Sequence, residues 1–316
     1  MYFILILCIS LYLLYRGADY IVERSSKLAL DFGVTPITIA LTIIALGTSA
    51  PELLTGLMSA FQKRPDFVIG NIIGGNIANV ALIVGVASMI RRIQVKSKTL
   101  RLEIPFVTAS SLAFLLASID GLISRFEGFL FLLAAAGFMA YLVREAKKEN
   151  FFDETIAGIK AKLMRKAIAH DLALCALGIA MLVVGAGLLV SAAIGLGEIF
   201  AVSEVAMGIT VIALGTTIPE LVTALVATAR KNNEIIIGNA IGSFVLNIFV
   251  VIGLTAFIFP IPVSAIAQRL DIPFMLIFAF VFLIMLRTKY FVSRLEGLLL
   301  FSGYVAYIFF VVTRIQ

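Results

Sequence analysis

Two six-residue stretches, Gly47-Thr48-Ser49-Ala50-Pro51-Glu52 and Gly215-Thr216-Thr217-Ile218-Pro219-Glu220, each set a carboxylate, hydroxyls, a proline and a glycine inside apolar sequence. Proline has no N–H and its ring crowds the carbonyl four residues earlier, here Gly47 or Gly215, so a helix through either stretch should bend or break. Freed carbonyls, hydroxyls and a carboxylate together make an oxygen-lined site for a cation. The neighbouring apolar runs add amides at Asn79 and Asn247, and Ser243 lies four residues before Asn247, on the same helical face. The oxygen donors available are therefore Glu52, Glu220, Thr48, Thr216, Ser49, Thr217, Asn79, Asn247 and Ser243, with the carbonyls near Ala45 and Ala213. Calcium takes about six to eight such oxygens. No His or Cys stands among them, which argues against zinc, copper and other soft metals. Two protonated glutamates hydrogen-bonded to Asn71, Asn239 or a hydroxyl would be a purely structural alternative, but it gives no reason to place the pair twice beside a broken helix.

These stretches must be positioned in a membrane. Of 316 residues, 61% are apolar and only 14% charged, and apolar segments of about 20 residues recur along the whole length. They fall near 2–30, 36–61, 66–90, 102–119 and 126–143, then 168–197, 203–229, 233–259, 270–287 and 294–313. The one long polar stretch, Arg144 to Lys166, reads as a surface linker. The net charge of +6 sits in short loops, where it sets topology rather than binding nucleic acid. Cys8 and Cys175 lie in apolar segments without CxxC spacing, and the single His170 is expected at a helix start beside Asp171. There is no HExxH and no GxSxG, so an intramembrane enzyme is disfavoured. Met1 leads straight into apolar sequence without a basic n-region, which predicts a retained first helix.

Sliding the chain by 168 residues against itself superimposes Ile44-Ala45-Leu46-Gly47-Thr48 on Ile212-Ala213-Leu214-Gly215-Thr216, and Pro51-Glu52-Leu53 on Pro219-Glu220-Leu221. Gly70-Asn71, Gly74, Asn79 and Gly85 fall on Gly238-Asn239, Gly242, Asn247 and Gly253; with one added residue, Ser124-Arg125-Phe126-Glu127-Gly128 falls on Ser293-Arg294-Leu295-Glu296-Gly297. Apolar low complexity produces chance Leu and Ile matches, but not Gly, Pro, Asn and Glu in constant register. The expected fold is an all-α polytopic membrane protein of ten transmembrane helices in two five-helix repeats, residues 1–144 and 167–316, joined by a linker at 145–166. Five is odd, so the second repeat is inverted relative to the first. The basic loops place the linker in the cytoplasm and both termini outside. The glycines of 70–74 and 238–242 are expected to serve close helix packing.

The pair Gly-Thr-Ser-Ala-Pro-Glu and Gly-Thr-Thr-Ile-Pro-Glu, each followed by a Gly-Asn-x-x-Gly segment that ends in Asn, resembles the α-repeats of Na⁺/Ca²⁺ exchangers of the Ca²⁺/cation antiporter superfamily. The motifs cover about residues 43–85 and 211–253, and the chain resembles the compact prokaryotic members throughout. The resemblance implies Glu52 and Glu220 as shared Ca²⁺ and Na⁺ ligands. Around them it implies Thr48, Thr216, the carbonyls of Ala45 and Ala213, Ser49, Thr217, Asn79, Ser243 and Asn247. Gly75 stands where the family motif usually has Ser, and Asn247 where many relatives have Asp, which argues against the K⁺-dependent branch. The linker is too short for the regulatory domain of animal exchangers. The implied activity is Ca²⁺/Na⁺ antiport by alternating access, with both ions as cargo, no cofactor, and the lipid bilayer of a prokaryotic plasma membrane as surroundings. No nucleic acid and no protein partner are expected. The resemblance also implies that the first and sixth helices slide, with bends near Gly17 and Gly185. A Ca²⁺/H⁺ exchanger of the same superfamily is the nearest alternative, and a cation channel a more distant one.

Overall fold

The computed structural model describes residues 2–32, 34–94, 104–148, 159–199 and 215–315. It is helical apart from four two-residue strands. In order, the chain forms α1 (Tyr2–Phe32), α2 (Pro36–Ile39), a π-helical turn (Ala40–Ile44), α3 (Ala45–Thr48), α4 (Ala50–Phe61), α5 (Pro65–Ile77), a second π-turn (Ala78–Ile83) and α6 (Val84–Ile90). Strand β1 (Ile93–Gln94), α7 (Ile104–Ala117), β2 (Leu122–Ile123), α8 (Arg125–Lys148) and α9 (Ile159–Ile199) follow. Then come α10 (Ile218–Ala229), α11 (Asn233–Leu246), a π-turn (Asn247–Ile252), α12 (Gly253–Ile258) and β3 (Ile261–Pro262). A last π-turn (Ala267–Asp271), α13 (Ile272–Lys289), β4 (Phe291–Val292) and α14 (Arg294–Ile315) complete it. Among the described residues, 8 stretches are long and apolar enough to cross a membrane, and two shorter apolar helices, Ile104–Ala117 and Ile218–Ala229, stand beside them. The spans Pro65–Ile90 and Asn233–Ile258 are the most enclosed, each with 78% of its window buried. Tyr2, Leu54, Met58, Phe126 and Phe309 stay exposed, an apolar exterior suited to lipid.

The chain divides into two compact units, Met1–Thr48 with Gly137–Asn239, and Ser49–Ala136 with Ala240–Gln316. In the first, α1 crosses α9 with backbone against backbone. A Cβ on Gly17 would lie 2.7 Å from the Gly178 carbonyl oxygen, and one on Gly178 would lie 2.8 Å from that of Gly17. Both helices run uninterrupted through Gly17 and Gly185, so these glycines are crossing points and not helix breaks. Arg24 Nη1 on α1 donates to Asp171 Oδ1 on α9 at 3.1 Å, and α1 is tied to the corner after α10 by Arg230, which pairs with Asp19, and by Asn232 Nδ2, which donates to Ser26 Oγ at 3.0 Å. His170 and Asp171 lie inside α9, which starts at Ile159, and not at a helix start. The predicted linker is helical at both edges, since α8 reaches Lys148; its central residues lie outside the described set.

In the second unit one set of contacts occurs twice. Strand β1 pairs with β4 (Ile93 opposite Val292), and β3 pairs with β2 (Ile261 opposite Ile123). Ser124 and Glu127 form a capping box at the start of α8, with Ser124 N donating to Glu127 Oε2 at 2.7 Å. Ser293 and Glu296 do the same for α14 at 2.8 Å. Arg125 donates to the Ile258 carbonyl at 3.4 Å, Arg294 to the Ile90 carbonyl at 3.3 Å, each satisfying the open C-terminal end of α12 or α6. Gly128 fits against the backbone of Phe257 and Gly253, and Gly297 against that of Gly85.

A Cβ on Gly128 would lie 2.5 Å from the Phe257 backbone nitrogen, which cannot move aside as a flexible side chain could, whereas Gly137 faces open space. Gly128→Val is therefore expected to lower the thermal midpoint of detergent-solubilised protein by many degrees or abolish its recovery, since overpacking costs about 1–3 kcal/mol or more. Gly137→Ala should leave the midpoint unchanged or slightly raised, and size-exclusion analysis after heating measures both.

Candidate cation site

The first of the two motifs breaks its helix at one residue. Helix α3 ends at Thr48, Ser49 adopts φ −80° and ψ 4°, and α4 begins at Ala50 with Pro51 in its first turn. Proline is tolerated there because the first N–H groups of a helix have no intrahelical acceptor. The described part of the second motif resembles it: Thr217 adopts φ −86° and ψ −7°, then α10 begins at Ile218 with Pro219 in its first turn. Each interruption thus puts its glutamate, Glu52 or Glu220, in the first turn of a helix, where the positive end of the helix dipole favours a carboxylate.

The first unit carries Ala45, Thr48, Thr216, Thr217, Glu220 and Asn239. Glu220 is 1% exposed, and neither of its carboxylate oxygens has a hydrogen-bond partner among the described residues. The Thr48 hydroxyl donates to Asn239 Oδ1 at 3.2 Å and is also close enough to Glu220 to act on it electrostatically. Helix α9 lies over both motifs: a Cβ on Gly47 would collide with the Ile179 side chain, and one on Gly215 with Val190. Glycine at both positions is what allows this close cover. Gly238 does the same for α11, whose missing Cβ would meet Ala40 Cβ at 2.6 Å. Gly70 and Gly74 face nothing within 4 Å among the described residues. Ala45 is buried and has only its carbonyl to offer; Ala213 lies outside the described residues.

The second unit carries Ser49, Glu52, Gly75, Asn79, Ser243 and Asn247, and all five of the side chains that hold oxygen are buried. Helices α4 and α5 both pack on the π-turn that begins at Asn247, so the elements carrying these residues are direct neighbours. Asn79 and Asn247 each open, or nearly open, a π-turn, an irregularity that concentrates at functional positions. Ser49 Oγ, Asn79 Oδ1 and Asn247 Oδ1 are buried and have no hydrogen-bond partner among the described residues. Asn76, a residue outside the sequence-predicted donor set, is wholly buried and accepts a hydrogen bond from Asn247 Nδ2 at 3.1 Å. Nothing in its local sequence marks it, because its partner lies 171 residues away. Among the described residues no cluster of three or more His, Cys, Asp or Glu side chains exists, so the donors in both units are hard oxygens.

A bundle of apolar spans that places unpartnered oxygens and a buried carboxylate beside interrupted helices defines a polytopic membrane transporter. The chain belongs to the sodium/calcium exchanger protein family, whose profile matches residues 2–144 and 170–313. It is 32% identical over 307 residues to the inner membrane protein YrbG of Escherichia coli K12, covering 96% of this chain and 94% of that one. It is 30% identical over 338 residues to the sodium/calcium exchanger MaX1 of Methanosarcina acetivorans, covering 96% and 97%. Its fold matches that of the sodium-calcium exchanger NCX_Mj with a TM-score of 0.85, at 24% identity over 98% of each chain. The chain is therefore a membrane antiporter and not an enzyme.

A buried carboxylate without a protein donor is a destabilising charge until a cation or proton meets it. Glu220→Gln keeps the shape and removes the charge. It is expected to raise the thermal midpoint of ion-free protein by several degrees and to abolish the further rise that Ca²⁺ gives the unmodified protein. Scanning fluorimetry with and without Ca²⁺ reads both effects, and a lowered ion-free midpoint would mean that a protein donor already holds the carboxylate.

Proposed function

We propose that this protein exchanges Ca²⁺ for Na⁺ across the prokaryotic plasma membrane by alternating access. The observation that carries the reading is Glu220, buried in an apolar chain with neither oxygen partnered among the described residues, and matched 168 residues earlier by the buried Glu52. Both carboxylates serve the same cargo in this reading, with Thr48, Thr216, Ser49, Thr217, Asn79, Ser243 and Asn247 and the carbonyls of Ala45 and Ala213 as further ligands. Ca²⁺ and Na⁺ compete for the two charges. An emptied pocket with two uncompensated charges is costly to expose to hydrocarbon, so the ion-free protein resists switching sides. That penalty couples occupancy to movement and separates an exchanger from a leak.

In this reading the architecture is ten transmembrane helices in two inverted repeats, 1–144 and 167–316, with the linker between them cytoplasmic and both termini outside. The doubled contacts of the second unit support it, because β1–β4 and β3–β2, the two capping boxes and the two arginine caps recur at offsets of 168 or 169. Such reciprocity is what a pseudo-two-fold relation between repeats produces. No protein partner or cofactor enters the reading.

Reconstituted vesicles test the exchange directly. Ca²⁺ uptake is expected under an outward Na⁺ gradient and to be lost with Glu52→Gln or Glu220→Gln, since Ca²⁺ depends on charged oxygens to offset its dehydration. Near-normal uptake in both variants would refute the site; faster uptake under a pH gradient would favour Ca²⁺/H⁺ exchange.

Gly75 gives that alternative its one structural support, since it offers no hydroxyl where its counterpart is Ser243. Among the described residues there is space for a hydroxyl: a Cβ on Gly75 would meet Asn247 Nδ2 at an ordinary 3.7 Å. Gly75→Ser should therefore fold and lower the Na⁺ concentration for half-maximal Ca²⁺ efflux, with little change in the Ca²⁺ requirement. An unchanged Na⁺ dependence in a transporting Ser variant would remove Gly75 from the Na⁺ shell.

A further inference from the structure

The amides of the second unit form a one-way chain. Asn76 is 0% exposed; its Nδ2 donates to the backbone carbonyl of Phe244 at 3.3 Å and touches Met275 Sδ at 3.7 Å. Its Oδ1 accepts from Asn247 Nδ2 at 3.1 Å, and Asn247 Oδ1 is left buried without a donor among the described residues. A carbonyl can only accept, so Phe244 requires the NH₂ end of Asn76. That leaves the Asn76 oxygen for Asn247, which must answer with its own NH₂. Both amide orientations thus follow from one backbone group, and the free end of the chain is an oxygen.

Only one half of the chain has this device. Asn76 and Phe244 occupy equivalent positions at the 168-residue offset, as do Gly75 and Ser243, so the amide next to Gly75 faces an aromatic ring's position in the other half. We propose that Asn76 is a positioning and specificity-determining residue: it holds Asn247 with its carbonyl oxygen presented to the cargo and makes position 247 select a neutral amide over a carboxylate. This rests on Asn247 being a cation ligand. An Asp at 247 would set its acceptors against the Asn76 oxygen. Asn76 could turn its NH₂ towards that Asp only by facing its own oxygen to the Phe244 carbonyl, and either arrangement leaves buried acceptors opposed. The charge of the site is thereby held to that of Glu52 and Glu220, with position 247 contributing an oxygen but no charge and no proton.

The test is a double-mutant cycle on Ca²⁺ uptake driven by an outward Na⁺ gradient, with unmodified protein, Asn76→Ala, Asn247→Asp and the double variant in vesicles. Asn76→Ala frees the amide to rotate and should raise the half-saturating Ca²⁺ about tenfold, the scale of one lost buried hydrogen bond, while the maximal rate stays within about twofold. Asn247→Asp should weaken Ca²⁺ by a similar factor or more when Asn76 is present. With Asn76 replaced by Ala, the same Asp should cost less than about threefold, because the opposing oxygen is gone. A residue that only fills space would give single effects that multiply, and multiplying effects overturn the proposal. If Asn76→Ala yields no folded protein, Asn76→Ser, whose short hydroxyl cannot span Phe244 and Asn247, carries the same cycle to the same decision. Failure of the underlying reading looks different: the unmodified protein then shows no Na⁺-driven Ca²⁺ uptake, or Glu220→Gln leaves it intact.

Discussion

Glu220 sets the terms on which the rest of this protein is built. A carboxylate kept from water without a donor is destabilising by several kcal/mol even after the protein relaxes around it, and a membrane offers no solvent to relieve it. Native folds usually satisfy such a group with an Arg, a Lys or several N–H donors. Here, among the described residues, the neighbour is the Thr48 hydroxyl, which also donates to Asn239. The local fold gives the charge relief without neutralising it, from the first turn of α10, where the helix dipole is favourable, and from the nearby Thr48 hydroxyl. A full counter-charge from the protein would hold the site permanently closed to cations. In the proposed exchanger, stability is forgone so that cargo can supply what is missing.

The backbone is arranged to the same end. A proline within an apolar helix normally costs about 3 kcal/mol, yet in both motifs it falls in the opening turn of a new helix, where the missing N–H satisfies nothing. The interruption is one residue long, so the span Pro36–Phe61 still reads as a single apolar stretch. The π-turns at 40–44, 78–83 and 247–252 loosen the carbonyl ladder near the same side chains. Irregular backbone at this depth survives because it is enclosed, and the spans with the asparagines are the most enclosed of all.

Much of this was legible in the sequence for a physical reason. Gly, Pro, Asn and Glu are conspicuous in a background of Leu and Ile, so both motifs and the helix limits could be placed to within a few residues, as α4, α5 and α14 show. The π-turns were not legible, because i→i+5 bonding has no composition of its own and is decided by what packs around it. Asn76 was missed since its meaning depends on a carbonyl and an amide in another part of the chain. Asp171 was misplaced at a helix start because a charged residue after a basic stretch looks like a boundary; its partner Arg24 on α1 allows it to sit inside α9. Gly47 and Gly215 in the motifs are glycines that a covering helix requires, which their composition alone does not announce.

The crossing of α1 and α9 carries a mechanical consequence. At Gly17 and Gly178 each backbone occupies the space where the other's Cβ would be, and Arg24–Asp171 links the same two helices by charge. Separating them would strip close backbone packing that lipid cannot replace, because association in a bilayer draws on van der Waals fit and not on the hydrophobic effect. Any displacement that alternating access demands of α1 is therefore shared by α9. Since α9 also supplies Ile179 and Val190 over Gly47 and Gly215, the element that would move is the one that lies on both cation motifs. A shift of this pair changes the cover of the two motifs together, which is what a carrier needs if its ions are to be released as a set.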